Sequence, residues 1–111
     1  MDKLAQYRQI IQELLLEYAA GNPLGGEIES QTVFDQQTDR YLLVDLGWKG
    51  QRRIYSCLIH LEIRGEKIWI QRNQTDCSLT DELLAKGVLK EDIVLGLQPT
   101  ELRKYTGLGV I

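Results

Sequence analysis

The stretch from Tyr41 to Arg72 constrains the fold more than any other part of this chain. It holds three apolar-rich segments, Tyr41 to Trp48, Arg53 to Ile63 and Glu66 to Arg72, separated by Lys49-Gly50 and Arg64-Gly65. Aromatic and β-branched residues recur in each segment, as they do in strands. A glycine in so short a connection supplies the positive φ that tight hairpins need. Parallel neighbours would require crossovers of about a dozen residues or more, so these segments form an antiparallel meander. A weaker strand over Glu29 to Phe34 precedes them, and Asp35-Gln36-Gln37-Thr38-Asp39 reads as the polar turn between.

Register follows from what each turn aligns. With Arg64-Gly65 as the loop, Glu62 faces Lys67, Leu61 faces Ile68, His60 faces Trp69 and Ile59 faces Ile70. Charges and apolar groups then match across the pair. A Gly65-Glu66 loop would set Arg64 against Lys67, and that repulsion disfavours it. With Lys49-Gly50 as the loop, Val44 faces Tyr55 and Leu42 faces Cys57.

These registers sort the side chains onto two faces. One carries Leu42, Val44, Leu46, Tyr55, Cys57, Ile59, Leu61, Ile68 and Ile70, and is expected to be the core face. The other carries Tyr41, Leu43, Ile54, Leu58, His60 and Trp69, mixed with Asp45, Ser56, Glu62, Lys67 and Gln71. That second face is too apolar to be left in water on a monomer. At about 25 cal/mol per Å² of apolar surface, baring it forfeits several kcal/mol. Either the C-terminal segment or another chain is expected to cover it.

Residues 2–20 supply the cover for the core face. Leu4, Tyr7, Ile11, Leu14, Leu15 and Tyr18 recur at steps of three and four, the pattern of an amphipathic helix. Asp2 caps its start, and Gly21 suits a left-handed residue after its last turn. Residues 21–26 (GNPLGG) read as a loop. Toward the C-terminus, Ser78 caps a helix over Leu79 to Lys86 that Gly87 ends. Lys90-Glu91-Asp92 is a polar or short helical turn, Ile93 to Leu97 can pair as a strand, and Pro99 to Tyr105 is a short helix with Pro99 in its first turn. Leu108, Val110 and Ile111 form an apolar tail. The fold class is therefore α+β: an N-terminal helix on an antiparallel meander, followed by short helices, in one domain over residues 1–111.

Composition bears on function mainly by exclusion. Apolar residues make up 43% and charged residues 26% of the chain, ordinary values for a globular protein. No apolar run approaches the roughly 20 residues of a membrane span. The opening MDKLAQYRQ lacks the apolar run of a signal peptide. Cys57 and Cys77 form neither a zinc pattern nor a disulfide framework, which points to a reduced, cytoplasmic setting. The net charge of −3 and pI near 5.1 count against tight autonomous DNA binding.

No local motif specifies a chemistry. His60 shares a strand face with Glu62, an arrangement a general base could use. No nucleophile or oxyanion motif accompanies the pair, so a half-buried strand histidine is the simpler reading. Two such ligands do not make a metal site. Gly107-Leu108-Gly109 lacks the context of a dinucleotide fingerprint. Lys49, Arg52 and Arg53 form a small basic cluster at one hairpin end.

A set of blocks distributed along the chain is more distinctive. It runs through Gly47-Trp48, Arg52-Arg53-Ile54-Tyr55-Ser56-Cys57, His60 and Gly65-Glu66-Lys67-Ile68-Trp69-Ile70-Gln71. It continues with Thr75-Asp76, Asp81-Glu82-Leu83, Gly87 and Lys90-Glu91-Asp92-Ile93-Val94-Leu95-Gly96. Together these blocks resemble the XisI family of cyanobacteria, the fdxN-element excision controlling factors. Ser56 stands where a glycine is expected, Arg64 where an acidic turn residue is common, and the Gly107-Leu108-Gly109 ending differs from the usual bulkier one.

The resemblance implies a process: programmed excision of a DNA element during heterocyst formation. In that process a separate site-specific recombinase breaks and joins the DNA. It also implies a companion of the XisH family and an accessory role with indirect association with DNA; the apolar second face and the lack of a catalytic constellation add the expectation of self-association or a mixed complex, with no catalysis, no cofactor and no membrane. It brings no catalytic residues with it. On this reading the partner-facing residues are Tyr41, Leu43, Leu58, His60, Trp69 and Gln71. The alternative is a DNA-contacting factor using Lys49, Arg52 and Arg53, and a third reading is an enzyme built on His60 with Glu62.

Overall fold

A computed structural model of the chain describes residues 2–21 and 27–110. Most of the loop expected at 21–26, and Ile111 of the apolar tail, lie outside the described residues. Helix α1 spans Lys3–Ala20 and buries Tyr7, Ile11, Leu14 and Leu15. The Asp2 carboxylate accepts the Ala5 N–H at 2.8 Å, which satisfies one of the free donors at the helix start. Gly21 departs from expectation. Its φ is −91°, and its N–H still donates to the Glu17 carbonyl, so the helix ends without a left-handed residue.

The sheet follows in the order β1-β2-β3-β4-β5. Strands β1 (Ile28–Asp35), β2 (Arg40–Lys49), β3 (Arg52–Arg64) and β4 (Lys67–Asn73) form the antiparallel meander. Helix α2 (Leu79–Ala85) and a 3-10 turn over Lys90–Asp92 then lead to β5 (Ile93–Val94), which runs parallel to β4. The Ser78 hydroxyl accepts the Asp81 N–H at 3.2 Å as the expected cap of α2. Strand β5 is shorter than the segment expected to Leu97. Helix α3 (Thr100–Arg103) starts just after Pro99, whose ψ of 148° is extended.

Both long hairpins turn two residues in pairing sum away from expectation. Lys49 pairs with Arg52, so the first loop is Gly50-Gln51. Arg64 pairs with Lys67, so the second loop is Gly65-Glu66. Gly65 and Glu66 have φ of 55° and 64°, the pair of positive values a type I′ turn demands. The repulsion expected between Arg64 and Lys67 in this register does not arise. The Arg64 guanidinium turns back to Glu62 at 2.6 Å, and the Lys67 ammonium donates to the Val110 carbonyl at 2.9 Å.

Two bulges then rearrange the faces. Leu43 pairs with Ile59 but Val44 with Cys57, so Leu58 is the extra residue of β3. His60 pairs with Arg72 but Leu61 with Ile70, so Gln71 is the extra residue of β4. An extra residue exchanges the two faces of a strand on either side of it. As a result Tyr41 and Leu43 join Ile59, Leu61, Ile63, Ile68, Ile70 and Ile93 under the helices. The core face expected over Leu42, Val44, Leu46, Tyr55 and Cys57 is instead the opposite one.

The core is closed from both ends of the chain. Tyr7, Ile11, Leu14 and Leu15 of α1 meet Leu79 and Leu83 of α2, together with Val88 and Ile93. Asp92 is buried and accepts the Tyr7 hydroxyl at 2.6 Å, with the Lys3 ammonium at 3.2 Å. Burial and this bond to Asp92 push the Tyr7 phenol up to about 12. At Gly109 the chain passes tightly over the sheet edge. Its N–H donates to the Ile93 carbonyl at 2.8 Å, and a Cβ there would lie 2.2 Å from the Glu91 carbonyl oxygen.

Candidate interaction surface

The face of the sheet turned away from α1 has two parts. The first lies over β4 and the last third of β3. Glu62 is buried there, and its carboxylate gathers Arg64 at 2.6 Å, His60 at 2.7 Å and Arg40 at 3.8 Å. Burial alone would raise its pKa. The hydrogen bonds and charges of Arg64 and His60 outweigh that and hold the carboxyl below its ordinary range. Opposite Glu62 stands Trp69, with Arg64 5.4 Å and Arg103 5.1 Å from its ring centre.

The C-terminal segment covers this first part. The Arg103 Nε donates to the carbonyls of Leu95 and Gln98, which fixes α3 beside Trp69. Gly96 lies so close that a Cβ would meet Gln71 Oε1 at 2.5 Å and the Trp69 ring at 3.1 Å. This covering was one of the two outcomes expected for the second face. It leaves Trp69 and Gln71 half-buried, with the Trp69 indole N–H buried and without an acceptor among the described residues.

The second part is the arm formed by β1, β2 and the first half of β3. The pairs Val33 with Leu42, Val44 with Cys57, Leu46 with Tyr55 and Trp48 with Arg53 place these side chains on the outer face. Glu29 and Gln31 pair with Leu46 and Val44 and flank them. Tyr55 is 72% exposed, Val33 48% and Trp48 47%, while Leu42 and Leu46 are half-buried and Val44 is buried, so the face is open to solvent around its centre. The Arg53 guanidinium lies over the Trp48 ring at 5.3 Å. On the other side of the same strands Ser30 donates to the buried Asp45 carboxylate.

Of the residues expected to face a partner, Tyr41 and Leu43 are in the core, 0% and 2% exposed. The Tyr41 hydroxyl donates to Asp39 at 2.9 Å, and burial with that bond raises it to about 12. Leu58 is half-buried against the core. His60, Trp69 and Gln71 share the outer face, half-buried among the Glu62 cluster and the C-terminal segment. Lys49, Arg52 and Arg53 are exposed together at the arm's tip, as expected.

The arm residues Leu42, Val44, Leu46 and Tyr55 are the ones the alternation pattern misassigned. A signal for them exists: Tyr41-Leu42-Leu43-Val44 is apolar without alternation, which occurs when both faces of a strand are in use. Cys57 belongs to this outer face too. Burial pushes its thiol up, and its Sγ lies 3.4 Å from the Ile59 carbonyl.

His60 and Glu62 are in hydrogen-bond contact at 2.7 Å. One depression of about 220 Å³ lies between Glu17, Tyr18, Gly21 and Glu82. Another of about 390 Å³ runs along the outer side of α1, past Arg8, Gln12 and Gln36. Among the described residues no three His, Cys, Asp or Glu side chains group to hold a metal ion, and no helix is long and apolar enough to cross a membrane.

The comparisons with known proteins agree with one another. The family model described as XisI protein matches residues 1–110. No curated protein sequence matches. A crystal structure of a XisI-like protein from Anabaena variabilis ATCC 29413 superposes with a TM-score of 0.93 at 41% identity, over 97% of this chain and 99% of that one. The crystal structure of the fdxN element excision controlling factor XisI from the same organism gives a TM-score of 0.84 at 33% identity, over 99% and 100%.

Proposed function

The chain belongs to the XisI family, and from that premise we propose that it is an accessory, controlling protein of DNA-element excision of the fdxN type. One observation carries this reading. A relative described as the fdxN element excision controlling factor matches the chain end to end, at 33% identity. In this reading the protein works by contact with other proteins and catalyses nothing itself. Its partner is an XisH-like companion, a second copy, or both, and its association with DNA and the recombinase is indirect.

The open face of the arm supports that mode of action. Aromatic and apolar groups bared on one surface are what interface centres are made of. Trp48 and Tyr55 are the natural anchors, and His60, Trp69 and Gln71 lie further along the same side of the sheet. The test is light scattering after size-exclusion chromatography, on the protein alone and mixed with an XisH-like companion. The expected result is a mass above the monomer in at least one sample, reduced by Tyr55→Glu. A monomer that ignores the companion would contradict the reading.

The exposed basic tip favours a second reading, in which Lys49, Arg52 and Arg53 touch DNA. That contact would weaken steeply with salt. Mobility-shift assays with element-end DNA at low and moderate salt test it, and no shift at low salt removes it.

A further inference from the structure

We propose that the outer face of the arm packs on the same face of a second copy of this chain, about a two-fold axis running along β2. This deepens the reading above, on which it rests, by naming the occupant and the geometry of that face.

The charge pattern across the three strands selects the arrangement. Strand β2 presents an apolar ridge of Leu42, Val44, Leu46 and Trp48. On its β1 side the same face carries Glu29, and Glu27 lies one row further, where its carbonyl accepts the Trp48 N–H at 3.2 Å. On its β3 side the face carries Arg53 and Tyr55. One flank is therefore acidic, the other basic and aromatic, with an apolar strip between.

With the strands of the two sheets aligned, two-fold packing of one face on itself leaves two axis directions in the plane of the sheet. An axis across the strands lays β1 over β1, acid on acid, and Arg53 over the partner's β3. An axis along β2 lays β1 over the partner's β3. Glu27 then faces Arg53, with Glu29 one row on beside Tyr55, once on each side of the apolar strip. Only this second arrangement is self-complementary, and like charges in juxtaposition penalise the first. The two β2 strands run parallel and in register, about 10 Å apart and rotated by the usual twist of stacked sheets.

Two variants and their combination test this. Sedimentation equilibrium over a range of protein concentrations should give a dimer for the native chain. Arg53→Glu and the double change Glu27→Arg with Glu29→Arg should each shift the chain to monomer, and all three changes together should restore the dimer. The restored dimer also establishes that the variants fold. A second measurement fixes the axis. Leu46→Cys, in a chain with Cys57→Ser and Cys77→Ser, should cross-link to itself with a short bis-maleimide, because the axis along β2 sets each Leu46 beside its own copy.

A native chain that is monomeric at every concentration overturns the proposal. So does a dimer untouched by Arg53→Glu, or one not restored by the combined changes. A monomer that still binds the XisH-like companion overturns the second-copy proposal alone and leaves the controlling-protein reading in place. A chain that dimerises as described and does not bind the companion upholds both, with the second copy as the partner.

Discussion

Strand β2 meets two environments along its own length. At its start Tyr41 and Leu43 point into the core and are almost wholly buried, while at its end Trp48 stands in solvent. Strand β3 shows the same division, with Ile59 and Leu61 buried and Tyr55 bare. The hydrophobicity of these residues differs little. On β2 plain alternation turns Tyr41 and Leu43 toward the helices and Trp48 to the outer face, and on β3 the extra residue Leu58 exchanges the faces between Tyr55 and Ile59. Apolar character tells which residues seek cover, and the face they occupy decides whether this chain supplies that cover.

The comparison implies a sharp difference in stability effects. Leu61→Ala in the covered half should cost about 2–5 kcal/mol, the range for large-to-small changes in packed cores. Tyr55→Ala on the arm should change the stability of the monomer by less than about 0.5 kcal/mol. Urea unfolding of both variants checks this, and equal losses would erase the distinction. Asp92→Asn should cost about 1–3 kcal/mol, because a buried acceptor of the Tyr7 hydroxyl and partner of Lys3 loses its charge.

A smaller effect follows from pH. The hydrogen bonds of Arg8 lower the Asp39 carboxyl, and Arg64 with His60 lower Glu62 against the effect of burial. A carboxyl lowered in the folded state stabilises it fully above the unfolded value, ordinarily 3.8 for Asp39 and 4.5 for Glu62. That contribution is lost as the pH falls through the lower folded values. Urea midpoints measured between pH 6 and about pH 3 should therefore decline, and Glu62→Gln should flatten part of the decline. Both carboxylates sit in the helix-covered half or beside it, so arm variants such as Trp48→Ala should leave the pH profile unchanged.

Much of the fold was legible in the chain, and the losses have definite causes. Asp2 and Ser78 cap as their side-chain chemistry dictates. Tyr7, Ile11, Leu14 and Leu15 were readable as one helical stripe. Ile59, Leu61, Ile68 and Ile70 were assigned to the core correctly, because a two-residue change in pairing sum preserves which residues share a face. Tyr41, Leu43, Leu42 and Val44 were assigned to the wrong faces, because a single bulged residue does not preserve it. Nothing in Ile54 to Ile63 marks Leu58 as the residue that pairing skips.

The turn over Gly65-Glu66 is not legible from charge pairing, because that register sets Arg64 opposite Lys67. Their side chains instead diverge, one to Glu62 and the other to Val110. Less of the candidate surface was legible. The outer placement of His60, Trp69 and Gln71 was readable from alternation. Their covering by the C-terminal segment depends on contacts between Gly96, Arg103 and Trp69, which lie far apart in sequence.

The account turns on the open face of the arm being the surface by which this protein assembles. The most direct measurement is the solution mass by light scattering of three chains: the native one, Tyr55→Glu, and Leu16→Glu. Leu16 is 51% exposed on α1, away from the arm, and serves as the control. Assembly, alone or with the XisH-like companion, should survive Leu16→Glu and fail in Tyr55→Glu. Equal masses for the native chain and Tyr55→Glu would contradict the account.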